Sequence, residues 1–216
     1  YNSDTYLIEE GIVKPIIKIS DFKNQVQLDK NQRKIIFPYR KIADRVGIIS
    51  QEKLKKDFPN CYNYFITIKD ELQTRDKGKV EYPEWYAYAR TQGLNFYGEK
   101  LTTPTFSSTP RFLYVKDPDT LFCNGYAIYL KKKQDLFTPN VISLKVLAKI
   151  LNSNVMAYYI KKTSVSIEGG YPCYQKNFIE LFGVPSFSEV ELEFLGKENN
   201  IDAINAFLIK KYEIDI

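Results

Sequence analysis

The sequence predicts an α+β fold, with a mixed, mostly antiparallel sheet, flanking helices and a small C-terminal helical tail, and three features predict it. Two short β-branched runs, Ile16-Ile17-Lys18-Ile19 and Ile35-Ile36-Phe37, are bounded by polar residues or proline, as strands are. Two other segments place apolar residues at helical spacing: Cys61, Phe65, Ile68 and Leu72 in one, Leu144, Leu147, Ala148, Leu151, Val155 and Tyr158 in the other. Between them, residues 101–130 mix Thr, Phe, Tyr, Val and Ile with turn residues at Pro104, Pro110, Pro118 and Gly125, a pattern of several short strands.

In chain order, the first strand is expected at 16–19 and is followed by Ser20-Asp21-Phe22 and a polar stretch suited to a loop. The second strand ends at Pro38, which has no amide to give a ladder. Pro59 is well placed to open a helix, because its missing N–H would be unpaired in a first turn anyway. That helix is expected to run past Leu72 to Arg75, with Lys69 and Arg75 suiting the negative end of its dipole and Asp76-Lys77-Gly78-Lys79 as a basic stop. An antiparallel hairpin is expected with Asp117-Pro118-Asp119 at its turn, and Lys131-Lys132-Lys133 reads as a solvated loop. A longer helix should begin at Ser143, and Ile201, Ile204, Phe207 and Leu208 mark a terminal one. Residues 1–186 are thus expected to form the main domain and 187–216 the tail.

Composition narrows the function. With 216 residues, 44% of them hydrophobic, the chain can bury one substantial core. No apolar run approaches the roughly 20 residues that span a bilayer, so no membrane partner is expected. Cys61, Cys123 and Cys173 are odd in number and widely spaced, which suggests neither a disulfide framework nor a zinc cluster and makes a reducing, cytoplasmic setting the simplest expectation. Histidine is absent, which removes Ser-His-Asp, Cys-His and histidine-ligated metal chemistry. The formal charge of +5 permits binding to phosphates without demanding it, since Lys, Asn, Ile and Tyr also accumulate from A/T-rich codons. The opening Tyr1-Asn2-Ser3-Asp4 has neither a leader pattern nor an initiator Met and reads as a piece of a longer protein.

Several short motifs then follow one another in a telling order: Glu10-Gly11-Ile12-Val13-Lys14-Pro15, Asp21-Phe22, Phe37-Pro38-Tyr39, and Pro59-Asn60-Cys61-Tyr62-Asn63-Tyr64-Phe65 ending at Leu72 and Arg75. After them come Trp85-Tyr86-Ala87-Tyr88-Ala89-Arg90, Leu151-Asn152-Ser153, Gly169-Gly170-Tyr171, Asn177-Phe178-Ile179-Glu180-Leu181 and Val184-Pro185. This order resembles the TaqI-like C-terminal specificity domain, the target-recognition domain of adenine-specific DNA methyltransferases and of type IIG restriction-modification enzymes. The resemblance implies a non-catalytic module that recognises double-stranded DNA and positions an adenine for a methyltransferase domain of the same parent chain. It also implies S-adenosylmethionine as the cofactor of that parent, and it is compatible with a parent that carries a nuclease or one that does not. The chain departs from whole enzymes of this kind in lacking both an Asn/Asp-Pro-Pro-Tyr/Phe motif and a glycine motif for adenosylmethionine, so no cofactor, metal or catalytic residue is expected within it.

Arginine is the residue to examine for base reading, because its planar fork pairs bidentately with guanine whereas lysine is mainly a point charge. Arg75, Arg90 and Arg111 each sit near a loop or strand start, and Thr91 and Gln92 follow Arg90 with side chains suited to a thymine methyl and to adenine. Arg75 reads equally as a helix-end cap or a surface ion pair. Gly169 and Gly170 give backbone freedom for close approach, and Tyr171 offers a ring with a hydroxyl; an ordinary turn with Tyr171 in the core is the competing reading. Trp85, Tyr86 and Tyr88 are read as structural, and Asp21 with Glu168 makes a weak case for acid–base chemistry. Two other classes remain open: a single-stranded nucleic-acid binder that stacks bases on Tyr and Phe, and a protein-interaction module that uses the same aromatics as anchors.

Overall fold

The computed structural model describes residues 3–42, 45–130, 142–167 and 169–216. Lys131–Lys133 and Glu168 lie outside them, and with Glu168 the weak case for acid–base chemistry with Asp21. The elements in chain order are β1 (Val13–Lys18), α1 (Gln25–Asp29), β2 (Lys34–Ile36), β3 (Tyr39–Ile42), β4 (Arg45–Ile48), α2 (Gln51–Asp57), α3 (Pro59–Thr67) and α4 (Lys69–Gln73). They continue with β5 (Lys100–Thr103), β6 (Leu113–Val115), β7 (Leu121–Cys123), β8 (Tyr126–Ile128), α5 (Leu144–Leu151), α6 (Asn154–Thr163), α7 (Lys176–Ile179), α8 (Glu189–Lys197) and α9 (Ile201–Lys211). The fold is α+β with antiparallel pairing, as the sequence predicts. The chain divides into two compact units, Tyr1–Ile16 with Gln32–Tyr97, and Ile17–Asn31 with Gly98–Ile216.

In the first unit, β1 pairs antiparallel with β2 (Val13↔Ile36) and β3 with β4 (Tyr39↔Ile48). Ile12, Ile49, Leu54, Cys61, Phe65 and Tyr86 form its core, with Ile68 and Leu72 packed against it. The expected helix from Pro59 is there, but it is broken: Ile68 leaves helical geometry (φ −113°, ψ 15°) between α3 and α4. Ile66-Thr67-Ile68 is a β-branched run, the side-chain type that loses most rotamer freedom in a helix. The aromatics do structural work, as expected of them. The Tyr86 hydroxyl donates to the Ile49 carbonyl at 2.6 Å, and the Tyr88 hydroxyl to that of Ile36. Phe65 stacks on Tyr86 with ring centroids 5.4 Å apart.

The free amides at the start of α3 are met by a carboxylate from far away in sequence. Glu9 accepts from Asn60 N–H at 2.7 Å and from Cys61 N–H at 2.9 Å. Burial works to raise the Glu9 pKa, but the amides of Asn60, Glu9 itself and Cys61 outweigh it and hold the carboxyl below its ordinary value. A carboxyl depressed in the folded state contributes stability that is complete above its unfolded pKa of about 4.3 and is lost as pH falls through the folded pKa. Glu9→Gln is therefore expected to lower stability at neutral pH and to flatten the fall in melting temperature below about pH 4.5. Thermal unfolding from pH 3 to 7 checks it; parallel curves for the two proteins would deny Glu9 this role.

The second unit is built on the three-stranded sheet β6-β5-β8. Its centre, β5, is buried at every residue, including Lys100, whose ammonium donates to the Thr120 carbonyl at 2.9 Å. Leu101, Phe112 and Tyr174 meet Leu144, Leu151, Met156 and Ile160 of α5 and α6 in one core. The other side of α5 (Val146, Ile150) joins Val155, Phe187, Leu195, Ile204 and Leu208 in a second, so the terminal helices share a core with α5 and α6.

Three expectations are corrected in this unit. The polar stretch after Phe22 contains the short helix α1, started by Asn24, whose side chain accepts from Gln27 N–H. Asp117-Pro118-Asp119 does form a turn, in which the Asp117 carboxylate accepts from Asp119 N–H (3.0 Å) and the Thr120 hydroxyl (2.9 Å). It closes no hairpin, however, because β6 pairs with β5 while β7 belongs to a different sheet. The long helix from Ser143 is two helices, divided at Asn152-Ser153. The reason lies across the fold: the Asn152 amide accepts from Phe112 N–H and donates to the Phe112 carbonyl, both at 2.8 Å. Gln25 does the same to Tyr114, at 2.9 Å each way. Phe112 and Tyr114 are alternate residues on the side of β6 away from β5, so two side-chain amides finish an edge that would otherwise present unpaired backbone.

Candidate nucleic-acid interface

Arg75 and the Arg90-Thr91-Gln92 segment lie in the first unit, and Arg111 and Gly169-Gly170-Tyr171 in the second. Arg75 closes α4. Its Nε donates to the Leu72 carbonyl at 2.7 Å and its Nη2 to that of Trp85 at 2.9 Å, with the guanidinium 4.8 Å from the centre of the Tyr82 ring. The backbone then turns left-handed at Asp76, Lys77 and Gly78, which ends the helical segment. Arg90, Thr91 and Gln92 are all exposed in a loop whose next turn is closed by Leu94 N–H on the Thr91 carbonyl at 3.0 Å. Phe96 and Tyr97 follow, 63% and 68% exposed, so this loop presents polar and aromatic side chains in one stretch.

Arg111 precedes β6, next to the Phe112 that Asn152 pins. Its Nε is buried and has no hydrogen-bond partner among the described residues, and burial lowers its pKa. A desolvated guanidinium nitrogen without an acceptor is costly, and an incoming acceptor would relieve that cost.

Gly169 and Gly170 form the tip of a narrow loop with φ of 93° and 77°, which glycine adopts without the steric penalty of a Cβ. Gly170 N–H donates to Ile167 O at 3.0 Å, Ile167 N–H to Tyr171 O at 3.2 Å and Cys173 N–H to Val165 O at 3.0 Å, which hold the two arms together. A bridge from Cys173 to Phe106, with Tyr174 N–H on Thr105 O at 2.7 Å, ties the arms to the segment after β5. Tyr174 is buried in the core, whereas Tyr171 is 48% exposed, so the core reading of Tyr171 is not what the structure displays.

Beside this tip lies an open cleft of about 580 Å³, lined by Ser108, Tyr158 and Lys161 as well as by Ser166 and the tip itself. None of those four stands out as functional in the sequence. The only signal was the i,i+3 spacing of Tyr158 and Lys161 on α6, which means little until the 165–173 loop is placed next to it. Among the described residues no three His, Cys, Asp or Glu side chains gather in a way that could hold a metal ion. Nor is any helix among them long and apolar enough to cross a membrane.

This chain belongs to the TaqI-like C-terminal specificity domain family, whose profile matches residues 48–183. It is also 24% identical over 103 residues to the type II restriction enzyme and methyltransferase RM.Eco57I of Escherichia coli. That match covers 44% of this chain and 10% of the relative, so the chain spans about a tenth of the curated relative it matches. The family match takes in Arg75, Arg90, Arg111 and the Gly169–Tyr171 tip.

Proposed function

We propose that this chain is the DNA-recognition part of an N6-adenine methyltransferase or a bifunctional type IIG restriction-modification enzyme. In this reading residues 1–186 are the target-recognition domain, 187–216 are its helical tail, and the chemistry belongs to a methyltransferase domain of the same larger protein. The observation that carries the reading is the family match across 48–183, and the name of the relative, restriction enzyme and methyltransferase, agrees with it. The chain has neither the Asn/Asp-Pro-Pro-Tyr/Phe motif nor the cofactor's glycine motif, and in this reading adenosylmethionine is bound by the larger enzyme. The role of this part is to dock the duplex so that an adenine, whose reactive atom is held inside the stack, can be turned out into the neighbouring domain.

Within that role, Arg90, Thr91 and Gln92 are assigned to base edges, because they are exposed together and match guanine, thymine and adenine in hydrogen-bonding and methyl contacts. Arg111 is assigned to an acceptor on the duplex that satisfies its buried Nε. Gly169, Gly170 and Tyr171 approach the backbone, and Arg75, held by two carbonyls, supports the segment leading to Arg90 while its remaining N–H groups face the DNA. The test compares binding of the full-length protein to duplexes, single strands and no nucleic acid. Duplex preference with sequence selectivity supports the reading, whereas preference for single strands, or no nucleic-acid binding, returns it to the stacking or protein-interaction class. Arg90→Ala is expected to cost about 1–3 kcal/mol on the preferred site and to flatten selectivity at one position. Equal loss on every duplex would make Arg90 a phosphate contact.

A further inference from the structure

We propose that the cleft between α6 and the Gly169–Tyr171 tip seats a phosphodiester of the DNA backbone, with Lys161 as its cation, and so sets the register of the duplex without choosing a base. The inference rests on the DNA-recognition reading and deepens it. Among the described residues that line the cleft, Lys161 is the single charged side chain, and the hydroxyl-bearing residues are Ser108, Ser166, Tyr158, Tyr171 and the buried Tyr174. A cation and hydroxyl donors lining one cleft suit an anionic, oxygen-rich group. The side chains that pair bidentately with base edges, Arg, Asn and Gln, are missing from that lining, so the chemistry favours backbone over base.

The surrounding structure keeps these groups available. α6 buries Val155, Met156 and Ile160, which leaves Tyr158 and Lys161, one turn apart, on its outer face. Tyr158 is 39% exposed, with the Lys162 ammonium 5.5 Å from the centre of its ring, so a second cation stands at the rim. On the opposite side a Cβ built on Gly170 would meet nothing within 4 Å, which leaves a strand free to come close to the tip. Lys161 and Lys162 also suit the negative end of the α6 dipole. That role accounts for their charge, but not for a concave, hydroxyl-lined setting around one of them.

The experiment uses the full-length protein, a duplex carrying the site it selects from a randomised library, and a scrambled duplex of the same composition, with anisotropy followed over a range of salt. Lys161→Ala should weaken both duplexes by the same factor and reduce the slope of log affinity against log salt by about one, with the ratio between duplexes unchanged. Lys161→Arg should restore the slope. Tyr158→Phe, which removes only a hydroxyl, should weaken both duplexes alike. An unchanged slope and affinity in Lys161→Ala would overturn the phosphate seat while leaving the recognition reading intact, and so would a loss confined to the selected site. If the unaltered protein selects no site at all, the recognition reading itself fails and takes this one with it.

Discussion

Gly125→Ala is expected to destabilise the second unit by about 3 kcal/mol, because the added Cβ has nowhere to go. Gly125 lies in the turn between β7 and β8, after Asn124 with its left-handed φ of 61°. A Cβ there would sit 2.3 Å from the Thr103 carbonyl oxygen, 2.9 Å from Ile19 Cδ1 and 3.2 Å from Pro104 Cα. The isoleucine methyl can move aside. The carbonyl cannot do so cheaply, since Thr103 is the buried last residue of the central strand β5 and is paired with Tyr126 one position after the glycine. Relief must therefore come from pulling β8 away from β5, which loosens the sheet on which α5 packs. The loss should appear in thermal unfolding as a fall of roughly 6–12 °C. Gly93→Ala is the control: its Cβ would meet nothing within 4 Å, and the change should stay within about 0.5 kcal/mol. Equal melting temperatures for the two variants would mean that the Gly125 turn relaxes without disturbing the sheet.

Gly125 also marks a limit of sequence reading. As a turn residue it was visible, but the carbonyl that requires a glycine there is 22 positions away in sequence (125 − 103). The same limit recurs elsewhere. Hydrophobic spacing identified one buried face, since Cys61, Phe65, Ile68 and Leu72 do pack on one core, but Tyr158, expected on one face with Leu151 and Val155, is 39% exposed. The spacing did not reveal the break at Ile68, because a helix that stops and restarts there keeps burying the same face; at Asn152-Ser153 the face changes instead, with Leu144 and Leu151 in one core and Val155 in the other, so one period carried across the break misplaces Tyr158. The strands of residues 101–130 were legible from β-branched content and turn residues, whereas their pairing was not, since a turn at Asp117–Asp119 can lead into a hairpin or into another sheet. Within the expected helical tail, one helix start that went unread had a purely local signature. Ser188-Glu189-Val190-Glu191 is a capping box that opens α8, with Ser188 N–H on Glu191 at 2.7 Å and Glu191 N–H on Ser188 at 3.3 Å.

For the candidate interface, residue type nominates candidates but does not place them. Guanidinium geometry singles out arginine from sequence alone, but whether a given arginine is already engaged depends on what folds over it. Arg75 and Arg111 illustrate the two outcomes. Both precede or follow a helix or strand end, yet Arg75 meets two carbonyls, and Arg111 has a buried Nε that meets none among the described residues.

That contrast leads to Asn152, the residue that sets the backbone beside Arg111. Asn152→Ala should cost about 2–4 kcal/mol, because it deprives both the N–H and the carbonyl of the partly buried Phe112 segment of partners at 2.8 Å. Asn152→Asp separates the two halves of the interaction. A carboxylate still accepts from Phe112 N–H, but it turns a second oxygen toward the Phe112 carbonyl where the amide donated, so it should recover little of the loss. If thermal unfolding instead finds Asn152→Asp close to the original protein, the carbonyl half of the clamp contributes nothing. The functional consequence follows from position. Phe112 is one residue from Arg111, and a guanidinium that reads an acceptor in fixed geometry needs its backbone held; once the clamp is gone, duplex selectivity should decline at temperatures well below melting. Arg111→Lys gives the comparison, with charge kept and the planar fork lost. If Asn152→Ala and Arg111→Lys relax selectivity at the same position of the site, the break in the helix at Leu151-Asn152-Ser153 is there to aim an arginine. If Asn152→Ala lowers stability and leaves selectivity untouched, its task ends at completing the edge of β6.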